Sequence, residues 1–408
     1  MQLSKKFLET VRQACQRRSV LLVLVCSCGR APIEVQAPPA APAPRAAAPA
    51  LVVRVGAGRP PVARTVDARD ELDGQTLADP YRWMEGRDND EFAAWLEAQG
   101  RYAATELARL PGRDHLLARV RALGLGTSIV SDPVRVGDRL FYEATPAGAQ
   151  VSRLEVREAD GKSHLLLDPA TLGTGGSHAS VDNFSPSPDG KLVAYNLNLG
   201  GSEITSIHVL PTAGGPELAD TIERVWGEFA AHWLPDGSGF FYTQMAKPTA
   251  GVDPMFSKHV RPHRLGRPVA DDPAVLGNGI GTTMTFEPEE FTVGIQVPLG
   301  SSWMIARGAG AHPEQRIAVA PLSELDSSGV GQTPWKIVAG YEDAVRGGAI
   351  HGDRLYLLTH KGAPNRRILS LSLAHPDLAQ SRIEVAESPD DRLRLRWLRG
   401  SASTLVQP

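Results

Sequence analysis

The sequence predicts an all-β fold of repeated four-stranded sheets, and three observations carry that prediction. A Gly-tipped turn followed by a short apolar strand occurs five times: Gly137-Asp138-Arg139-Leu140-Phe141-Tyr142, Gly190-Lys191-Leu192-Val193-Ala194-Tyr195, Gly237-Ser238-Gly239-Phe240-Phe241-Tyr242, Gly300-Ser301-Ser302-Trp303-Met304-Ile305 and Gly352-Asp353-Arg354-Leu355-Tyr356-Leu357. The marker glycines are 53, 47, 63 and 52 residues apart. Further strand-like runs follow the turns in phase. A period near fifty built of strands is that of a β-propeller with one four-stranded blade per repeat. A β-sandwich with unrelated hairpins would not keep five turns in phase.

The chain opens on a segment of different character. Lys5, Lys6, Arg12, Arg17 and Arg18 precede an apolar run from Val20 to Cys26, too short to span a bilayer but suited to a signal-peptide core. Val25-Cys26-Ser27-Cys28-Gly29 resembles a bacterial lipobox, so residues 1–28 read as a lipoprotein-type signal peptide with Cys28 as the lipid-attachment residue. An ordinary secretory signal is the alternative. All three cysteines, Cys15, Cys26 and Cys28, fall inside this segment, so a chain starting at Cys28 forms no internal disulfide. Residues 29–59 are a linker rich in Pro and Ala, stiff and unable to build a core. The expected location is the periplasm or cell envelope, with the membrane contacted only through the lipid.

Residues 60–124 read as helical. Asp88 with Glu91 gives a capping-box pattern, and Phe92, Trp95, Leu96, Tyr102, Leu107 and Leu110 leave one apolar face before Pro111. A second helix runs from Asp114 to Leu123 and is stopped by Gly124. The aromatic face needs a partner surface, either the repeats or a further domain.

Residues 125–408 hold the repeats. Second runs fall at Val151 to Val156, Ile204 to Leu210, Arg316 to Pro321 and Arg366 to Leu371, with Lys258-His259-Val260 in the looser third copy. Third runs are Leu165 to Asp168, Pro216 to Asp220, Trp335 to Val338 and Arg382 to Val385. Ser187-Pro188-Asp189-Gly190 and Leu234-Pro235-Asp236-Gly237 place Pro and Asp where a tight turn presets φ, and Gly where φ turns positive. The net charge of −3 and the lack of a basic stripe argue against a nucleic-acid partner.

An ordered set of motifs resembles the prolyl oligopeptidase family of serine peptidases. It runs from Leu77-Ala78-Asp79-Pro80-Tyr81-Arg82-Trp83-Met84-Glu85 and Trp95-Leu96-Glu97-Ala98-Gln99 through Leu167-Asp168-Pro169 and Phe184-Ser185-Pro186-Ser187-Pro188-Asp189-Gly190-Lys191. It continues in Ile222-Glu223-Arg224-Val225, Trp233-Leu234-Pro235-Asp236-Gly237, His263-Arg264-Leu265-Gly266, Leu355 to Thr359 and Ala363-Pro364-Asn365. The resemblance covers roughly Pro60 to Glu387. It implies cleavage of short proline-containing peptides by an enzyme in which a seven-bladed propeller caps an α/β-hydrolase domain holding Ser, Asp and His. On that basis the chain is expected to be an incomplete propeller of about five blades, preceded by a short helical segment and without the hydrolase domain. A sixth marker is due near residue 400, where Arg392-Leu393-Arg394-Leu395-Arg396-Trp397 stands instead. A non-catalytic propeller lipoprotein is the other reading.

The sequence offers no catalytic residue of its own. The G-x-S-x-G elbow that exposes a hydrolase serine is absent, and Gly175-Gly176-Ser177-His178-Ala179 lacks the last Gly. His259 and His263 are four apart in an irregular stretch, without Glu or Cys to complete a zinc set, so these and the other histidines, His208 and His232 among them, read as surface or strand-edge residues. Asp189, Asp236 and Asp353 read as turn formers. Gly277-Asn278-Gly279-Ile280-Gly281 lacks the Lys-Ser/Thr of a phosphate loop. No metal and no cofactor is expected.

Overall fold

The computed structural model describes residues 58–388, except 87–88, 125, 174–176, 250–253, 282, 288–289 and 329–330. The signal segment with Cys28, the linker up to residue 57 and the Arg392 to Trp397 stretch lie outside the described residues. The chain divides into two compact units, Met1–Leu110 and Pro111–Pro408.

The first unit departs from the purely helical expectation. It opens with an antiparallel hairpin of β1 (Arg69–Leu72) and β2 (Gln75–Ala78). Asp73 and Gly74 turn it with φ of 50° and 75°, the left-handed pair that a two-residue hairpin loop demands. Helix α1 (Asp90–Ala108) follows, and its cap is Asn89, whose Oδ1 accepts the Phe92 N–H at 3.0 Å. The expected cap, Asp88, lies outside the described residues. Glu91 does not close a capping box; it accepts from Arg64 at 2.5 and 2.8 Å. Phe92 stacks on Trp95 and meets Trp83 edge-on, yet no residue of α1 is buried.

The second unit begins with helix α2 (Arg113–Gly124) and continues as five four-stranded antiparallel meanders. Sheet I holds β3 (Ile129–Val136), β4 (Arg139–Thr145), β5 (Arg153–Arg157) and β6 (Ser163–Leu167). Sheet II holds β7 (Ala179–Pro186), β8 (Leu192–Leu199), β9 (Ile204–Pro211) and β10 (Ile222–Trp226). Sheet III holds β11 (His232–Trp233), β12 (Gly239–Gln244), β13 (His259–Arg264) and β14 (Leu276–Gly277). Sheet IV holds β15 (Phe291–Gln296), β16 (Trp303–Ala309), β17 (Gln315–Pro321) and β18 (Lys336–Ala339). Sheet V holds β19 (Val345–His351), β20 (Arg354–Thr359), β21 (Arg367–Ser372) and β22 (Arg382–Val385).

Each marker glycine joins the first strand of its sheet to the second, and all five have φ between 57° and 76°. The run Pro216 to Asp220 is not a strand. Pro216 has no N–H for a ladder, the Asp220 carboxylate is engaged elsewhere, and the fourth strand of sheet II forms only at Ile222. His259 and His263 stand on a regular strand, β13, rather than in irregular chain.

The second strands of sheets II, III and IV are apolar on both faces because each packs between two neighbours. Phe240 joins Ile207, Val209 and Ile222 in the core between sheets II and III, whereas the next residue, Phe241, joins Ile295, Met304 and Ala306 between III and IV. Val193 and Ala194 divide in the same way between the I–II and II–III cores. Ile305 lies with Val345 and Leu355 between IV and V. Among the described residues no core cluster joins sheet V to sheet I.

Candidate functional site

Two groups of polar side chains gather on and beside the first strands of the sheets. At sheets I and II, Asp132 and Glu143 oppose Asp182. Asp132 sits in the β3 bulge at φ 50°, beside the Ser131–Glu143 pair. Asp182 accepts from Asn198 Nδ2 at 2.7 Å and Ser180 Oγ at 3.2 Å. Glu143 is pushed up to about 7, first by burial and then by the charges of Asp132 and Asp182. At sheets III to V a polar relay runs from the His232 ring to Gln296 Nε2, from Gln296 Oε1 to Arg307 (2.7 Å) and from Arg307 to Gly348 O (2.9 Å). Burial lowers Arg307 to about 10, which leaves it charged at neutral pH.

The raised Glu143 sets a pH dependence. A carboxyl held above its ordinary 4.5 stabilises the fold fully below that value, and the contribution is lost as pH rises through about 7. Glu143→Gln is therefore expected to leave stability unchanged at pH 4.5 and to raise it at pH 8, by on the order of 1 kcal/mol after solvent screening of a partly exposed group. Urea midpoints of the two chains at both pH values check this. Equal midpoints at pH 8 would refute it.

The remaining residues singled out in the sequence separate. Ser177 lies on the connection between sheets I and II, just before β7, and not at a strand-to-helix elbow; Gly175 and Gly176 are outside the described residues. Asp189 is a turn former: burial would raise it, but the Lys191 N–H, Ser187 Oγ and the Lys191 ammonium hold it at about 2. Asp236 likewise accepts from the Ser238 N–H and Oγ. His208 bonds Ser206 Oγ and stacks on Tyr195, and His259 bonds Asn278 O. Gly277 is required where it stands, since a Cβ there would lie 2.4 Å from Lys258 O at a φ of 141°. Among the described residues no set of three or more His, Cys, Asp or Glu could hold a metal ion. No described helix is long and apolar enough to cross a membrane.

His263 corrects the surface expectation. It is fully buried, with Asp220 on one ring nitrogen and Asp272 on the other, each at 2.9 Å. Sequence reasoning missed this group because the partners lie 43 and 9 residues away.

Five in-phase antiparallel four-stranded sheets with cores shared between successive neighbours are the blades of a β-propeller. Comparison with known proteins gives the particular family. The family model described as prolyl oligopeptidase, N-terminal β-propeller domain, matches residues 60–397, and the chain belongs to that family. It is 27% identical over 335 residues to a prolyl endopeptidase of Elizabethkingia meningoseptica, covering 81% of this chain and 45% of the relative. Protease 2 of Moraxella lacunata is 23% identical over 345 residues, covering 81% and 46%. A solved prolyl endopeptidase structure, studied for inter-domain dynamics in catalysis and specificity, superposes with a TM-score of 0.69 at 25% identity, covering 83% of this chain and 48% of that one. Oligopeptidase B from Leishmania major shares the fold, with a TM-score of 0.64 at 19% identity and coverage of 81% and 46%. The chain thus spans about half the length of the relatives it matches.

Proposed function

We propose that residues 60–397 are the N-terminal portion, helical segment and propeller blades, of a prolyl oligopeptidase-like serine endopeptidase acting on short proline-containing peptides. The family match over 60–397 carries this reading. Hydrolysis needs a nucleophile, a base and oxyanion donors held in one geometry. On this reading those groups belong to an α/β-hydrolase domain, and the propeller restricts which peptides reach it. The absence of a G-x-S-x-G elbow from the 408 residues supports that division of labour.

The purified 408-residue chain is expected to give no turnover of a chromogenic Gly-Pro substrate. Turnover that persists in Ser177→Ala after repurification would overturn the assignment of catalysis to another domain. The DNA beyond codon 408 discriminates further: a frame encoding G-x-S-x-G supports the peptidase reading, and an intergenic region favours a non-catalytic propeller lipoprotein. The lipobox supports a lipid anchor at Cys28 on the cell envelope, and loss of metabolic palmitate labelling in Cys28→Ser is the expected result. Labelling that survives in that variant removes the anchor from the proposal.

A further inference from the structure

The connection between β9 and β10 of sheet II is fastened to sheet III at one buried point. Asp220, from that connection, and Asp272, from the segment leading to β14, face opposite nitrogens of the His263 ring on β13. The side chains of all three are almost wholly out of solvent, 0% exposed for His263, 5% for Asp220 and 6% for Asp272. A neutral imidazole has one N–H and donates one hydrogen bond, whereas this ring meets two carboxylate oxygens. Each of those oxygens already accepts another donor: Asp272 Oδ2 takes the Tyr242 hydroxyl at 3.0 Å, and Asp220 Oδ1 takes the Gly266 N–H at 2.6 Å. With both carboxylates ionised, both oxygens act only as acceptors and both ring nitrogens donate.

We propose that Asp220–His263–Asp272 is a proton-held clamp, an imidazolium between two carboxylates that fastens the 212–221 connection of sheet II to sheet III and lets go when its proton is lost to solvent. After deprotonation one ring nitrogen presents a lone pair to a carboxylate oxygen 2.9 Å away, in a site that excludes water. The two buried negative charges then have a single N–H between them.

The surroundings favour the charged ring. From sheet III, Tyr242 stays a neutral donor, because burial and then Asp272 hold its hydroxyl above its ordinary range. Two cations act the other way: Arg261, which donates to the Asp272 carbonyl, and Arg224 on β10 of sheet II both pull Tyr242 down, but less strongly than burial and Asp272 hold it up. The Phe240 ring lies 5.5 Å from the imidazole. Burial alone would lower His263, but its hydrogen bonds to Asp272 and Asp220, with their charges, outweigh that and raise it. A raised value in the folded chain means that the stabilisation is complete below the ordinary 6.5 and is lost as pH rises through the folded value.

Long-range 15N–1H NMR on the histidine-labelled 408-residue chain reads the ring directly. At pH 6.5, where an ordinary imidazole is half deprotonated, both nitrogens of His263 are expected to be protonated, and a predominantly neutral tautomer at that pH overturns the proposal. Amide exchange supplies the structural arm. Between pH 7 and pH 10 the protection of Leu218 and Gly266 should fall at least tenfold further than hydroxide catalysis alone accounts for. His263→Gln and Asp220→Asn should abolish that extra fall. If either variant does not fold, the wild-type titration decides alone: protection that follows hydroxide catalysis through pH 10 sinks the clamp.

Discussion

Phe241→Ala is expected to lower the free energy of unfolding by about 3 to 5 kcal/mol, the range for emptying a buried aromatic site. Phe241 is fully buried, and its ring lies with Val260, Leu276, Ile295 and Met304 in the core that sheets III and IV share. The loss falls on an interface and not within one sheet, so the cavity can close only by moving two sheets together, and backbone ladders on both sides resist that. Equilibrium denaturation of the full chain measures it. A loss under about 1 kcal/mol would mean that this core collapses around the gap and is not close-packed.

Gly239→Ala is expected to cost about 3 kcal/mol or more, for a steric reason. A Cβ at Gly239 would stand 1.9 Å from His263 O and 3.1 Å from the Arg264 Cα, both of them backbone atoms of the paired strand β13. No rotamer relieves such a contact, so β12 and β13 must part locally. Gly137→Ala is the comparison. Nothing lies within 4 Å of its Cβ, and the cost there is only the strain of a side chain at φ 57°, about 1 kcal/mol. If Gly239→Ala is no worse than Gly137→Ala by denaturation midpoint, the close approach of these strands is wrong.

The parts of the fold legible in the sequence were those whose chemistry is local. Gly137, Gly190, Gly237, Gly300 and Gly352 stand out because a tight turn needs a positive φ, and the strands after them are apolar on both faces. The first strands were not legible. β3 carries Ser131, Asp132, Pro133 and Arg135, and β7 carries Ser180, Asp182 and Asn183, so neither shows an apolar run. The Asp73-Gly74 hairpin escaped for a related reason: every residue of β1 and β2 is exposed, which leaves no alternation to read. The histidine clamp depends on a contact across 43 residues, which no window along the chain contains. The family motifs around Pro80, Pro188 and Pro235 stand out because they encode turns.

The division of Phe240 and Phe241 between different cores fixes where this chain can change length. Inserting or deleting one codon within β12 would exchange the two faces of the strand, sending each ring toward the wrong neighbour and damaging two interfaces in one event. The third strand β17 is divided in the same way, with Ala318 and Ala320 in the core of sheets III and IV and Ile317 and Val319 in that of IV and V. Only the loops therefore escape this penalty, and the marker steps of 47 to 63 residues show that the repeats differ in length. Insertions and deletions in such a gene are expected in the loops between strands, where no side chain has to keep its face.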